Sequence, residues 1–249
     1  MTILRVEDLS KNFGGLQVLS GISFTVEPGE KLALIGPNGA GKTTLINVIG
    51  GQLSASGGDV FLGNRRITRL SPNRRLRLGL GRSYQVNNLF FEMSILDNLL
   101  LALFGGERSH FQMFRRLEKR RELVEAAERL LETVDLFERR HEPLQAQSYG
   151  DQRLVELLCA FACRPQIVLL DEPTAGLPTA EASLFADVIR RLAGDTAVLF
   201  CAHDMDLVFN LADSIMVLYF GEIIAKGLPE EISADPRVQE IYLGGDDGC

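Results

Sequence analysis

The sequence predicts an α/β fold built around a sheet that is largely parallel. Three short apolar runs have the continuous apolar character of strands covered on both faces, at residues 167–170, 197–200 and 215–219. Helical patterns separate these runs, so the order along the chain is βαβαβ with parallel strands. A glycine-rich loop joins a further apolar run, at residues 31–35, to a helical pattern. Ligands bind such open sheets at the carboxyl ends of the strands.

The glycine-rich loop matches the phosphate-cradling pattern, in which glycines let successive backbone N–H groups turn inward around polyphosphate oxygens. Lys42 would place a positive charge on the β- and γ-phosphates, and the Thr43 hydroxyl would coordinate Mg²⁺. The helix that follows points the positive end of its dipole at the same phosphates. We therefore predict a nucleoside triphosphate bound by Gly36, Pro37, Asn38, Gly39, Ala40, Gly41, Lys42, Thr43 and Thr44.

Strands are also predicted near the N-terminus, where residues 3–9 and 18–26 partly alternate apolar and polar positions. A second strand pair is expected around residues 59–63, after a turn at Gly57-Gly58. A turn at Phe220-Gly221 leads into a last strand, and a helical tail follows at residues 236–243.

The pattern becomes helical from residue 111 to 137, which predicts a small helical subdomain. Its apolar stripe repeats at three- and four-residue steps and consists of Leu123, Ala127, Leu130, Val134 and Phe137. Its other face is basic and holds Arg115, Arg116, Lys119, Arg120 and Arg121.

Residues 65–82 contain seven arginines and no acidic residue: Arg65, Arg66, Arg69, Arg74, Arg75, Arg77 and Arg82. A solvated helix face is one interpretation, because charge runs are usually solvated. A basic surface for anionic lipid headgroups or a partner is the alternative. Nucleic acid is a third, although no aromatic platform is interleaved with these arginines.

Composition is that of an ordinary globular protein, with 46% hydrophobic and 24% charged residues among 249. The net charge of −7 gives no general support for nucleic-acid binding. The most apolar region, residues 89–104, is broken by Glu92 and Asp97, so we expect no membrane span. The first residues lack the layout of a signal peptide, and the four cysteines show no disulfide or zinc spacing. A cytosolic chain is expected.

Acidic residues follow the apolar run at 167–170. Asp171 stands where it can hold Mg²⁺ beside Thr43, and the adjacent Glu172 is available to act as a base on the attacking water. His203 follows the neighbouring strand and could reach a γ-phosphate with a neutral imidazole donor. The Gln85 amide could bind Mg²⁺ and the water, although spacing alone does not show this.

Ser148 precedes another apolar-periodic run, with Asp151 three residues later. This pair resembles a capping box, which predicts the N-terminus of a helix and nothing more. A helix start with a serine hydroxyl and a small Gly150 is also a ready site for an anion. The two interpretations stay open on these residues alone.

Over nearly its full length the chain resembles the nucleotide-binding subunit of ATP-binding cassette (ABC) transporters. A phosphate loop alone is shared by many unrelated enzymes, whereas five parts in this order and spacing are highly specific. The matching parts are residues 36–43, Gln85, the run Ser148-Tyr149-Gly150-Asp151-Gln152, the run Leu169-Leu170-Asp171-Glu172-Pro173, and His203.

The resemblance implies a P-loop NTPase fold and a head-to-tail dimer that buries two ATP molecules with Mg²⁺. The segment with Ser148, Gly150 and Gln152 would bind the γ-phosphate of ATP held by the other subunit. Glu172 would polarise the attacking water and His203 would hold the γ-phosphate. The other two implied roles are that Gln85 links the site to a membrane partner and that Phe13 stacks on adenine.

The resemblance also implies a single ABC ATPase domain over residues 1–249. Within it, a mixed or parallel core sheet and an antiparallel β subdomain would occupy residues 1–84 and 165–228. A helical subdomain would span 85–164 and a helical tail 229–249.

The motor subunit would sit on the cytoplasmic face of the inner membrane, against permease subunits that receive solute from a binding protein. We predict that residues 86–93 form the groove for a permease helix, the alternative being that Leu89–Phe91 are simply core.

Within the family, details of the sequence look most like the ATPases of branched-chain amino-acid importers, with urea and amide importers sharing much of the pattern. The supporting segments are Phe13-Gly14-Gly15-Leu16, the helical stretch at 111–137, His203-Asp204-Met205-Asp206 and Tyr242-Leu243-Gly244. Two positions depart from the family pattern. Gln147 replaces a usual leucine, which we interpret as a tolerable surface change, and Pro178 replaces a frequent aspartate.

Two other functions compete with the transporter motor. A soluble ABC ATPase acting as a clamp on nucleic acid or ribosomes usually carries two cassettes or a long coiled coil, and this sequence shows neither. A small-molecule kinase with the same phosphate loop would not need the segment from Ser148 to Gln152.

Overall fold

The computed structural model describes residues 2–83, 89–106 and 121–243. Its strands are β1 (Leu4–Phe13), β2 (Leu16–Val26), β3 (Lys31–Ile35), β4 (Gly57–Leu62), β5 (Arg65–Arg66), β6 (Leu80–Arg82), β7 (Ile167–Asp171), β8 (Ala197–Cys201), β9 (Ser214–Tyr219) and β10 (Glu222–Gly227). Its helices are α1 (Lys42–Gly50), α2 (Pro72–Arg77), α3 (Ile95–Gly106), α4 (Arg121–Glu132), α5 (Tyr149–Phe161), α6 (Thr179–Ala193), α7 (Met205–Leu211), α8 (Pro229–Ala234) and α9 (Pro236–Leu243).

The larger sheet has the strand order β10-β9-β3-β8-β7-β6. Five of these strands run parallel and β10 alone pairs antiparallel, at the edge, with β9. The predicted βαβαβ order is confirmed as β7-α6-β8-α7-β9. Because β3 lies between β8 and β9, the glycine-rich loop leaves from the middle of the sheet.

The second sheet is antiparallel, with the order β2-β1-β4-β5. The turn predicted at Gly57-Gly58 is wrong, since β4 begins at Gly57 and pairs with β1 from there. The pairing shifts register between Glu7 and Ser10. There Gly58 has φ +75°, and a Cβ on it would lie 2.2 Å from the carbonyl oxygen of Asp8. A glycine is therefore needed at a bulge, not at a turn.

Helices α3, α4 and α5 form the helical region, and short 3-10 helices at Phe137–Arg139 and Leu144–Ala146 lie between α4 and α5. Of the predicted apolar stripe, Ala127 is fully buried, and the other four members, Leu123, Leu130, Val134 and Phe137, are partly buried against the core. Leu131, which the stripe did not include, is fully buried as well, and α4 ends at Glu132 and not at residue 137. Four residues of the predicted basic face, Arg115, Arg116, Lys119 and Arg120, lie outside the described residues.

The apolar side chains form two clusters, one on each face of the larger sheet. One cluster joins that sheet to α3, α4, α5 and α6, and the other joins it to α1 and the antiparallel sheet. The helical region thus shares its core with the sheet. The subdomain boundaries stay a prediction.

Two of the seven arginines in residues 65–82 do not lie on a solvated face. Arg75 is 2% exposed, and its guanidinium donates to the carbonyls of Leu70, Val48, Ile49 and Thr68 at 2.9, 2.8, 2.5 and 2.8 Å. Arg82 donates to the side chains of Gln52 and Asn47. Neither a solvated face nor a lipid surface accounts for these two, because carbonyl and amide oxygens of α1 and its neighbours bind them.

Among residues 2–83, 89–106 and 121–243, none of the helices combines the length and the apolar character that a membrane span requires.

Candidate functional site

The phosphate loop lies between the end of β3 and the start of α1, and its backbone is in close contact with the backbone of β9. A Cβ added to Gly36, whose φ is +151°, would lie 2.1 Å from the carbonyl oxygen of Leu218. Gly41, the residue before α1, has φ +106° and provides no side-chain cap. The N–H groups of the first turn of α1 are therefore left for an anion.

Lys42 begins α1 and is buried within the loop. Its ammonium donates to the carbonyls of Gly36 at 2.7 Å and Pro37 at 3.0 Å. Burial lowers the pKa of Lys42, while the nearby carboxylates of Glu172 and Asp171 oppose that change. The lysine is thus held by the loop on which it is expected to bind phosphate.

Thr43 and Asp171 meet across the sheet, where the Thr43 hydroxyl donates to an Asp171 carboxylate oxygen at 3.3 Å. Burial raises the pKa of Asp171, and Arg82 opposes this. A hydroxyl and a carboxylate are hard oxygen donors of the kind that Mg²⁺ takes, so these two residues fit a magnesium site. The structure brings together the pair that the sequence placed 128 positions apart.

Glu172 and His203 also meet, because their strands are neighbours. Asp171 of β7 is paired with Cys201 of β8, so the residues just after the two strands emerge side by side. His203 Nε2 lies 2.8 Å from Glu172 Oε1, and both side chains are substantially exposed to solvent. With a neutral imidazole, this contact is a hydrogen bond donated by Nε2–H to the carboxylate.

Ser148 is the N-cap of α5, as predicted, and its Oγ accepts the Asp151 N–H at 3.1 Å. The same hydroxyl donates to the Asp151 carboxylate at 2.9 Å, and Arg139 donates to that carboxylate at 2.8 Å. Burial acts to raise the pKa of Asp151, but the hydrogen bonds from Arg139 and Ser148 hold it below its usual value. The capping interpretation is confirmed, and the anion site stays a prediction.

Gln147 is not the surface residue that the sequence suggested. It is 7% exposed, accepts from Arg139 at 2.9 Å and donates to Glu142 at 2.9 Å. The turn before α5 carries its amide inward, where the charged neighbours surround it. Gln152 serves the same turn, since its amide donates to the Gln147 carbonyl at 3.1 Å.

Residues 19–175 match the sequence model of the family described as ABC transporter. The chain belongs to the ABC transporter family. A second model, described as branched-chain amino acid ATP-binding cassette transporter, matches residues 222–248 of this ABC chain. The resemblance drawn from the motifs is confirmed.

Relatives of the ABC chain cover nearly all of it. A probable branched-chain amino acid transport ATP-binding protein LivG from Methanocaldococcus jannaschii is 36% identical over 252 residues, 98% of each chain. The high-affinity branched-chain amino acid transport ATP-binding protein BraF from Pseudomonas aeruginosa is 37% identical over 251 residues, 97% of this chain and 98% of that one.

A solved structure of an ATP-binding cassette of an ABC transporter, in its ADP conformation, superposes with a TM-score of 0.88. It is 34% identical and covers 98% of this chain and 99% of that one. The P-loop ABC ATPase fold is confirmed. The chain is an ATP-binding, ATP-hydrolysing motor subunit of a transporter, and a nucleic-acid clamp is not favoured. Subunits of this kind work as dimers with transmembrane permease partners.

The structure leaves the predicted roles of two residues of the ABC site, Phe13 and Gln85, untested. Phe13 ends β1 with its ring 45% exposed, and the Lys11 ammonium lies 4.7 Å from the ring centroid. Its contact with adenine stays a prediction. Gln85 lies outside the described residues.

A cavity of about 500 Å³ opens between α2, α3 and α5 of the cassette. Leu89 and Phe90 line it, and the Phe90 side chain is 56% exposed. Cys159, Cys163 and the buried Glu156 form part of its wall. Leu89 and Phe91 do pack against the core, whereas Phe90 is left at the opening. Residues 86–88 of the predicted groove lie outside the described residues, so the groove stays a prediction.

Two side chains of α5 to which the motifs gave no role reach the loop after β7. The Tyr149 hydroxyl donates to the Ala175 carbonyl at 3.1 Å, and Arg153 donates to the Glu172 carbonyl at 2.9 Å. The sequence carries a signal for the ion pair that holds Arg153, although not for its contact with Glu172. Arg153 and Glu156 are opposite charges three residues apart within an otherwise apolar run.

Proposed function

We propose that this chain is the ATP-hydrolysing subunit of an importer for branched-chain amino acids or a related small solute such as urea or an amide. The observation that carries the proposal is the match of residues 222–248, at the C-terminal end, to a model specific to branched-chain amino acid cassettes. The relatives named above support it over almost the whole chain.

In this proposal the cis site is formed by the loop at residues 36–44 and by the ends of β7 and β8. Lys42 exchanges its two loop carbonyls for phosphate oxygens, and Thr43 and Asp171 hold Mg²⁺. When bound, Mg²⁺ supplies positive charge to the phosphate oxygens. The glycines allow the backbone N–H groups to turn toward the same charge.

Glu172 orients and polarises the attacking water, and His203 binds the γ-phosphate. Their hydrogen bond at 2.8 Å keeps both groups beside each other before nucleotide arrives. Because the imidazole donates through Nε2, the same N–H can turn to a phosphate oxygen and leave the carboxylate available to the water.

A second subunit, identical or paralogous and stacked head to tail, would complete each ATP site with the start of its own α5. Ser148 and Gly150 would bind the γ-phosphate of the ATP held by the opposite loop. In the single subunit the Ser148 hydroxyl donates to Asp151, whose charge Arg139 offsets. Binding in trans would therefore redirect that hydroxyl from a carboxylate to a phosphate. Loss of the γ-phosphate after hydrolysis would reopen the dimer.

The permease would bind at the cavity where Phe90 is exposed, on the cytoplasmic face of the inner membrane. An apolar groove with an aromatic at its rim fits an amphipathic helix from a membrane subunit. Solute would reach those subunits from a separate binding protein.

The catalytic part is tested with Glu172→Gln. We expect turnover to fall by roughly a thousandfold while ATP binding persists and a closed dimer accumulates. Lys42→Ala is the contrasting variant, since it should weaken nucleotide binding itself. Hydrolysis by Glu172→Gln at the wild-type rate would remove Glu172 from this role.

The trans contact is tested in the Glu172→Gln background, where ATP-dependent dimers can be counted by size-exclusion chromatography. Ser148→Asp can still accept the Asp151 N–H as an N-cap, but it places a negative charge against the γ-phosphate, so we expect it to abolish the dimer. Because the new carboxylate also faces that of Asp151, the Tm of the monomer is compared between the variants to measure this local repulsion. Ser148→Asn keeps the cap without that charge and serves as the control. Dimers formed equally by both variants would argue against the trans site.

The solute is tested by purifying the cassette with its permease and measuring ATP-driven uptake of leucine into vesicles. Uptake that urea or an amide competes away, with none for leucine, would reassign the importer within the proposed group. No uptake of any of these solutes would refute the solute assignment and leave the ATPase intact.

A further inference from the structure

Glu172 has an uncommon backbone for a residue with a side chain. Its φ is +51°, in the left-handed region that L residues seldom adopt. This conformation turns the chain sharply at the end of β7 and carries the carboxylate toward His203. A backbone in this region persists only when its surroundings hold it.

Two main-chain contacts hold one side of this turn. The Glu172 N–H donates to the Cys201 carbonyl at 3.0 Å, and the Glu172 carbonyl accepts the Ala175 N–H at 3.1 Å. The third contact comes from a side chain distant in sequence. Arg153 Nη2 donates to the same Glu172 carbonyl at 2.9 Å.

Arg153 is itself fixed in place. It is 6% exposed, and its Nη1 donates to the Glu156 carboxylate at 2.6 Å, one turn further along α5. Glu156 is equally buried. The ion pair leaves the second terminal nitrogen of the guanidinium aimed at the loop after β7.

The buried ion pair of Arg153 and Glu156 is not the arrangement that would give this site the greatest stability. Arg153 Nε is buried and has no hydrogen-bond partner in the part of the chain that the structure describes. Apolar side chains of similar volume are often at least as stable as a buried ion pair. The charged pair therefore fits a positioning role better than a packing role.

A second contact ties the same helix to the same loop. Tyr149, in the first turn of α5, donates its hydroxyl to the Ala175 carbonyl at 3.1 Å, and its ring lies 3.4 Å from where a Cβ on Gly176 would stand. The N-terminus of α5, which Ser148 caps, is thus joined to the loop that carries Glu172.

We propose that Arg153, held by Glu156, is a positioning residue for Glu172. Through the Glu172 carbonyl it maintains the left-handed turn that aims the carboxylate. It also connects this turn to α5, whose first residues would contact ATP in the opposite site. The inference rests on the proposed ATPase function for its kinetic part, and its structural part is independent of nucleotide.

Two variants test the proposal in the full chain. Arg153→Met removes the bond to Glu172 and leaves Glu156 buried without its partner, so it also lowers stability. The double variant Arg153→Met/Glu156→Met removes both charges and is expected to restore stability. For both, we expect kcat for ATP hydrolysis to fall roughly ten- to hundredfold while KM for ATP changes less than about twofold.

Amide hydrogen exchange without nucleotide gives the second measurement. Residues 172–178 should exchange faster in both variants than in the wild type, whereas the interior of α5 should stay protected in the double variant. Arg153→Lys keeps one donor and should fall between the wild type and Arg153→Met in both measurements.

A double variant that is stable, exchanges like the wild type at residues 172–178 and keeps the wild-type kcat would overturn the proposal. The pair would then be structural only. A wild-type chain that hydrolyses no ATP would instead refute the proposed function, and the exchange comparison would still decide whether Arg153 holds the turn.

Discussion

Arg75→Met should destabilise the protein far more than a substitution in an arginine-rich segment normally would. The Arg75 guanidinium makes four hydrogen bonds to main-chain carbonyls, two of them at the last turn of α1 on Val48 and Ile49. A cation at that position also interacts favourably with the negative end of the α1 dipole. The helix that begins at the phosphate loop is thus capped at its other end by a side chain of α2.

The size of the effect follows from two opposing terms. A hydrogen bond to a charged group contributes about 1.5 kcal/mol or more after desolvation is counted, and four bonds to one guanidinium add less than fully because they share one charge. Burial lowers the pKa of Arg75 to about 10, so the protein environment disfavours this charge and the total lies near that of two full bonds rather than four. The loss of stability in Arg75→Met is therefore about 3 kcal/mol. For a chain of this length that corresponds to a fall in Tm of roughly 6–12 °C.

The assay is thermal unfolding of Arg75→Met beside Arg74→Met. Arg74 lies on the same helix but is exposed, so its replacement should change stability by less than about 0.5 kcal/mol. Equal and small shifts in Tm for the two variants would refute the capping role of Arg75.

Two further predictions concern the phosphate loop and the buried pair on α5. Gly36→Ala should lower Tm and abolish ATP binding because its Cβ would lie 2.1 Å from the Leu218 carbonyl oxygen. Gly39 has φ +82° but open space around it, so Gly39→Ala should lower the free energy of unfolding by only about 1 kcal/mol. Equal effects of the two variants in a nucleotide-binding assay would contradict this reasoning. Burial raises the pKa of Glu156 to about 7, only partly opposed by Arg153, so the folded chain keeps a proton that the unfolded chain has released. Relative to Glu156→Gln, the free energy of unfolding of the wild type should therefore fall by roughly 3 kcal/mol as pH rises from about 4.5 to 7. The same pH dependence of the unfolding free energy in both proteins would contradict this assignment to Glu156.

The parts of this protein that the sequence could predict are those with a local pattern. The pattern at residues 31–35 predicts a strand with the bounds that the structure gives it, because Lys31 and four apolar residues stand between a turn and a glycine-rich loop. The capping role of Ser148 was likewise readable from its spacing to Asp151. Both depend on neighbours within a few positions in the chain.

The errors arose where the partner of a residue is brought to it by tertiary packing or by the path of an irregular turn. Arg75 looked like one of seven equivalent charges, and only the packing of α2 on the end of α1 distinguishes it. Gln147 looked like a surface residue because nothing in its local sequence shows Arg139 and Glu142 folding over it. Gly58 looked like a turn until its pairing with β1 was known.

The sequence by itself determined that the chain binds a nucleoside triphosphate at the end of a parallel sheet, because Lys42, Thr43 and the glycines carry that chemistry in their spacing. The order of the strands determined the rest of the site. By placing β3, β8 and β7 side by side, the fold brings Asp171 to Thr43 and Glu172 to His203. Only tertiary packing decided that Arg153 would reach the Glu172 carbonyl, since a hydrogen bond between a helix and a loop 19 residues away leaves no periodic trace in the sequence.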